Sequence, residues 1–183
     1  MHFPNVSTPR AARVALWTTL AALVVGALAW RTGLPLLFPA LGASTFIVFA
    51  LPSAPAAAPR NVILAHAAGA LIGWACLWAC AVDASAAGPS HLHGMPHVLA
   101  ASLSLGLTTL AMLVLRAPHP PAGATTLIVS LGSMPELWHV GVVVLACVML
   151  VLLAQAAHQA AGVPYPWWRP RPSAAPGAEA SRS

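Results

Sequence analysis

LWHVGVVVLACVMLVLLAQAA, residues 137–157, contains no Asp, Glu, Lys or Arg. A helix over this stretch rises 1.5 Å per residue and matches a hydrocarbon core of about 30 Å. Three other runs have the same character. Residues 14–30 end at Arg31, residues 62–82 end at Asp83, and residues 98–115 end at Arg116. Glu136 stands before the fourth run. The sequence therefore predicts four long transmembrane helices.

Composition agrees. Of the 183 residues, 59% are hydrophobic and 6% are charged. A soluble domain carries about 25% charged residues, so most of this surface must face lipid. Lysine is absent, and the net charge of +5 comes from arginines scattered between the apolar runs. Nucleic-acid binding needs a clustered basic face, so nucleic acid is excluded as a partner. The charge pattern is of the kind that orients membrane helices. Cys76, Cys80 and Cys147 all sit inside apolar runs and read as small buried hydrophobes. Arg10 and Arg13 before an apolar run also fit a secretory leader, but the run exceeds the usual 7–15 residues.

Two shorter apolar runs, 36–51 and 122–131, are bounded by Gly and Pro. They resemble each other. PALGASTFIV (39–48) aligns without a gap on PPAGATTLIV (120–129), with six identities at an offset of 81 residues. The order long, short, long occurs twice. This predicts an all-α polytopic bundle of four long helices and two short broken segments, arranged as a 3+3 inverted internal repeat. If the short runs are re-entrant instead, the halves are parallel. Six crossings put Arg10, Arg13, Arg60, Arg116, Arg169, Arg171 and Arg182 on the cytoplasmic side and Arg31 alone outside, as the positive-inside rule prefers. Residues 1–13 then form an N-terminal cytoplasmic segment. Residues 14–157 form the transmembrane domain, with halves 14–82 and 98–157. Residues 158–183 form an interfacial anchor around Trp167 and Trp168, followed by a Pro/Ala-rich disordered tail.

At Arg116-Ala117-Pro118-His119-Pro120-Pro121 the chain resembles the HPP family of integral membrane proteins. Phe38-Pro39 with Gly42 and Ser44, and Pro59-Arg60-Asn61-Val62, resemble that family's first half. The likeness covers about residues 10–160. Plastid and cyanobacterial members are associated with nitrite transport, so the resemblance implies a permease for nitrite or a similar small inorganic anion in a bacterial inner membrane. The family is described with four membrane helices, a number that matches the long runs alone.

The residues themselves suit an anion. Half-helix N-termini present free N–H groups and about half a positive charge. Inverted repeats would bring two such ends together near the midplane, as in transporters with broken helices. The expected binding set is Gly42, Ala43, Ser44 and Thr45 in the first short run, and His119, Pro120, Pro121, Gly123, Thr125 and Thr126 in the second. The glycines allow close approach and the hydroxyls donate. Arg60 and Arg116 attract anions to the cytoplasmic mouth, and Asn61 either joins them or caps the helix after it. His119 either adds charge or a coupling proton, or caps the proline turn. His66, an imidazole inside a span, is a functional candidate by position. Gly69 and Gly73 form a GxxxG that reads as helix packing.

Three other readings compete. His91, His93 and His97 in one loop would suit a nickel, copper or zinc permease, although no cysteine or carboxylate other than Asp83 stands nearby to complete a metal site. A scaffold or assembly factor is the second. An intramembrane enzyme is the third, but the chain lacks HExxH, GxSxG and any transmembrane carboxylate pair. The expectation is therefore a transporter with no catalytic residues, metal site or cofactor. A bundle this small favours a homo-oligomer to enclose a pathway.

Overall fold

The computed structural model describes residues 8–82, 84 and 94–170. Among them the fold is all helical: α1 (Thr8–Thr32), α2 (Pro39–Ala50), α3 (Pro59–Ala79), α4 (Met95–Val114), α5 (Pro121–Ser130) and α6 (Trp138–Ala160). A 3-10 turn, Pro55–Ala57, precedes α3. Helices α1, α3, α4 and α6 are long and apolar enough to cross a membrane. The other two are the short runs expected from sequence.

Proline sets where these helices begin. It occupies the first turn of α2, α3, α4 and α5. Its fixed φ suits that position, and its missing N–H costs nothing there. The residues before α2 and α3 are accordingly extended, Phe38 at ψ 156° and Ala58 at ψ 134°. Helix α1 begins ahead of its apolar run, because the Thr8–Arg13 stretch holds no helix breaker beyond Pro9 in its first turn.

Contacts fix the helix directions. Arg10, at the start of α1, donates to the Ala50 carbonyl at the end of α2 (3.2 Å), so these two helices are antiparallel. His158, near the end of α6, bonds the Val48 carbonyl (3.0 Å), while Leu150 lines a cavity with Leu41 and Gly42. Helices α2 and α6 are therefore parallel. α3 starts at this same end. Tyr165, beyond α6, donates its hydroxyl to the Ala57 carbonyl (2.7 Å), and the Arg60 amide donates to the Trp168 carbonyl (3.0 Å). Burial pushes the Tyr165 phenol up, so it stays a donor. α4 finishes there too, where the Arg60 guanidinium donates to the Leu115 and Arg116 carbonyls (3.0 and 3.2 Å). α5 then runs alongside α3 in the same direction, with Gly69 against the Ala122 carbonyl and Gly73 against the Thr126 carbonyl.

Direction thus alternates through all six helices, and the second three run opposite to the first three. Gly69 lies ten residues into α3, a depth of about 15 Å, so α5 starts roughly halfway through the bundle. α2 ends level with the start of α1 and is about 18 Å long by the same rise, so it too starts halfway. Each short helix is preceded by a non-helical stretch, residues 33–38 for α2 and 117–119 for α5. Arg10, Arg13, Arg60, Arg116 and Arg169 gather at one end and Arg31 at the other.

The apolar core is made by α2, α3 and α6 around Val48, Val62, Val143, Cys147 and Leu150. α1 and α4 turn most of their leucines outward, including Leu16, Leu23, Leu103 and Leu110. Without water outside, such faces carry no hydrophobic penalty, and close approach of small residues holds the helices together. At Gly73 an added Cβ would stand 2.6 Å from the Thr126 carbonyl oxygen, and at Gly69 2.9 Å from that of Ala122. The GxxxG of α3 is therefore where α5 docks.

Candidate functional site

The N-termini of α2 and α5 meet around His66. Phe38, the residue before α2, packs edge-on against the His66 ring (centroids 6.2 Å), and His119, just before α5, packs tilted against it (5.0 Å). Phe38 and His119 are aligned positions in the two similar runs. Ser44 and Thr125 are also aligned. Ser44 Oγ lies 2.8 Å from His66 Nε2, and Thr125 Oγ1 lies 2.7 Å from His66 Nδ1. Both nitrogens of one imidazole are thus held by equivalent hydroxyls from the two short helices.

The chain of contacts continues. Ser44 Oγ is also 2.8 Å from His119 Nε2 and 3.0 Å from the Ala40 carbonyl. His119 Nδ1 lies 2.7 Å from the Ala56 carbonyl in the 3-10 turn. Ser44, His66 and His119 are fully buried and Thr125 almost so. The space between the two N-termini is occupied by these side chains. At this depth every polar group needs an internal partner, and each of these four side chains has at least one.

The other expected residues fall in three places. Thr126 is buried and accepts from Thr108 of α4 (3.0 Å), while Thr45 donates to the Leu41 carbonyl (2.7 Å). Pro121 and Gly123 are buried at the start of α5, Pro120 is exposed, and a Cβ on Gly123 would meet Leu105 at 3.2 Å. Gly42 and Ala43 face outward, and a Cβ on Gly42 would meet nothing within 4 Å. Asn61 does not cap α3. Its amide donates to the Pro55 carbonyl (2.9 Å) and its oxygen accepts from Arg60 (3.1 Å), fixing the 3-10 turn that presents Ala56.

Arg60, Arg116 and Arg169 line a cleft of about 260 Å³ at the arginine end. Arg60 also caps the carbonyls at the close of α4. Arg116 holds φ at 49°, a left-handed turn that only glycine adopts freely. That turn sends the chain from α4 down towards His119. A second cleft of about 320 Å³ at the same end is lined by Arg10, Arg13, Trp17 and His158. Of the histidine loop, His91 and His93 lie outside the described residues, and His97 is buried in the first turn of α4. Among the described residues no three His, Cys, Asp or Glu gather as a metal site would require.

Sequence reasoning flagged His66 but left it outside the expected binding set, and it missed Phe38 and Ala56. The available signal was the alignment itself, which pairs Phe38 with His119 one position before the matched prolines.

The chain matches the transmembrane region model of the HPP family over residues 3–166. It belongs to that family. It is also 31% identical over 124 residues to a transmembrane protein of Dictyostelium discoideum, a match covering 63% of this chain and 40% of that protein. The chain thus aligns with less than half the length of that relative. No solved structure matches it significantly.

Proposed function

We propose that this HPP-family membrane protein is a permease for a small inorganic anion of the nitrite class. The observation that carries the reading is His66, an ionisable ring inside a membrane span, clasped by hydroxyls at the meeting point of two broken helices. Ionisable groups at such depth mark substrate or proton pathways. Opposed half-helix N-termini supply positive potential without a fixed counter-charge to trap a monovalent ion. The arginine-lined clefts at one end raise local anion concentration there, and by the positive-inside rule that end is cytoplasmic. Nitrite rests on the family resemblance. In the arrangement described the side chains close the site, so loading an anion requires Ser44 to part from one of its histidines.

The test is uptake of labelled nitrite and nitrate into proteoliposomes. Saturable uptake above protein-free vesicles, lost in His66→Ala, is expected. Background uptake of both ions by folded protein overturns the reading.

A second reading has one favourable observation. Ser44 and His119 stand at 2.8 Å, with His119 oriented by the Ala56 carbonyl, which is the geometry of a serine nucleophile and its base. Against it, Ser44 is fully buried, so a scissile bond has no access to it. Labelling of Ser44 by a fluorophosphonate would favour hydrolysis over transport.

A further inference from the structure

The network around Ser44 is one proton short. Five hydrogen-bond distances join Thr125, His66, Ser44, His119 and the carbonyls of Ala40 and Ala56. Each needs one proton between its atoms. With both histidines neutral, Thr125, His66, Ser44 and His119 bring one proton apiece, which leaves one distance empty.

Which contacts compete for a proton follows from the donors. The Ala56 carbonyl can only accept, so His119 carries a proton on Nδ1. Its Nε2 is then an acceptor in the neutral ring, for which the Ser44 hydroxyl is the available donor. Ser44 oxygen in turn accepts from His66 Nε2–H, and Thr125 donates to His66 Nδ1. Ser44 therefore has one proton for two acceptors, His119 Nε2 at 2.8 Å and the Ala40 carbonyl at 3.0 Å, and the contact it does not fill is the empty one.

A proton placed on His119 Nε2 completes the set. The new N–H donates to Ser44 oxygen, the Ser44 hydroxyl turns to the Ala40 carbonyl, and Ser44 oxygen accepts from both rings. Every contact is then filled without moving a heavy atom. A proton placed on His66 does not achieve this. Its Nδ1 would displace the Thr125 donor, and Ser44 would still have one proton for two acceptors.

We infer that His119, with Ser44 as its rotating partner, is the loading site for one proton that travels with the anion. This deepens the permease reading and rests on it. The groups facing His119 do not supply a counter-charge. α3 offers His66, α2 the Ser44 hydroxyl, and the 3-10 turn a carbonyl. Arg60 directs its guanidinium to backbone carbonyls, and Arg116 is exposed. Glu136, the one carboxylate among the described residues, precedes α6 at the far end. An unpaired imidazolium at this depth is costly. A monovalent anion at the N-terminus of α5 would neutralise it, so proton and anion load together and the cycle is electroneutral.

The experiment has two arms on the full chain in lipid. ¹⁵N-histidine NMR follows His119 at pH 8 and pH 6, with and without nitrite or nitrate. The expected result is an Nδ1–H neutral ring at pH 8 and a doubly protonated ring at pH 6 that grows with added anion. In proteoliposomes an acid exterior should drive about tenfold accumulation per unit of pH difference, insensitive to a potassium diffusion potential and lost in His119→Gln. Nitrate guards against passive entry of nitrous acid. Anion uptake with His119 singly protonated throughout overturns the inference and leaves the permease reading standing. Protonation of His119 with no uptake of either ion overturns the permease reading, and the coupled loading that rests on it. Failure of both arms overturns both.

Discussion

The short helices α2 and α5 share six of ten aligned residues, yet the bundle holds them differently. α5 is pressed backbone to backbone against α3 at Gly69 and Gly73, where not even a methyl group fits. α2 makes no such contact through its own glycine. Gly42 faces open space, and Phe46 beside it is half exposed. Both helices present one hydroxyl to His66, but Thr125 makes a single bond there while Ser44 also serves His119 and Ala40. Near-identical segments thus divide the work. α5 is the fixed wall, and α2 carries the residue through which every other polar group of the site is connected.

Removing the shared ring should have the largest effect. His66→Ala empties a fully buried volume, removes the ring that Thr125 bonds and takes one of three partners from Ser44, at a cost of about 3–4 kcal/mol. A loss of thermal stability in detergent by ten degrees or more checks it, and a change within two degrees would mean the two helices do not depend on His66. The glycines come next. Gly73→Ala should cost about 2 kcal/mol through overpacking against the Thr126 carbonyl, whereas Gly42→Ala should change stability by less than about 0.5 kcal/mol. Equal melting shifts for the two would remove the distinction between wall and partner. The hydroxyls give the smallest contrast. Hydrogen bonds between membrane helices average about 0.6 kcal/mol, so Thr125→Val should cost about that much. Ser44→Ala, which takes the Nε2 partner from both rings, should cost about twice as much. A larger loss from Thr125→Val would reverse the roles assigned to α2 and α5.

Much of the architecture was legible along the chain. Runs 62–82 and 137–157 announced α3 and α6 within three residues at either end, because apolar length and flanking charge are local properties. Pro120 and Pro121 marked the start of the second short helix, since proline's geometry acts on its own turn, whereas the first begins at Pro39, three residues inside the run expected from Leu36. The likeness of the two runs, with the arginine positions, predicted opposed halves, and the six helix directions alternate. The site was legible in part. Ser44, Thr125 and His119 were among the expected residues, but Gly42 and Ala43 turn outward. The ring between the helices, His66, was a candidate with no known partner.

Residue chemistry and one-dimensional pattern determined, from sequence alone, that this chain lives in a membrane, where it crosses, and where its helices break. Only the tertiary structure decided what those breaks surround. Ser44 meets His66 and His119 across 22 and 75 residues of chain, and which hydroxyl faces which nitrogen depends on helix rotation and depth. Hydropathy reports how much of a helix is apolar and stays silent on its rotation. The close packing of α5 on Gly69 and Gly73 sets that rotation for Thr125, and the packing of α2 sets it for Ser44.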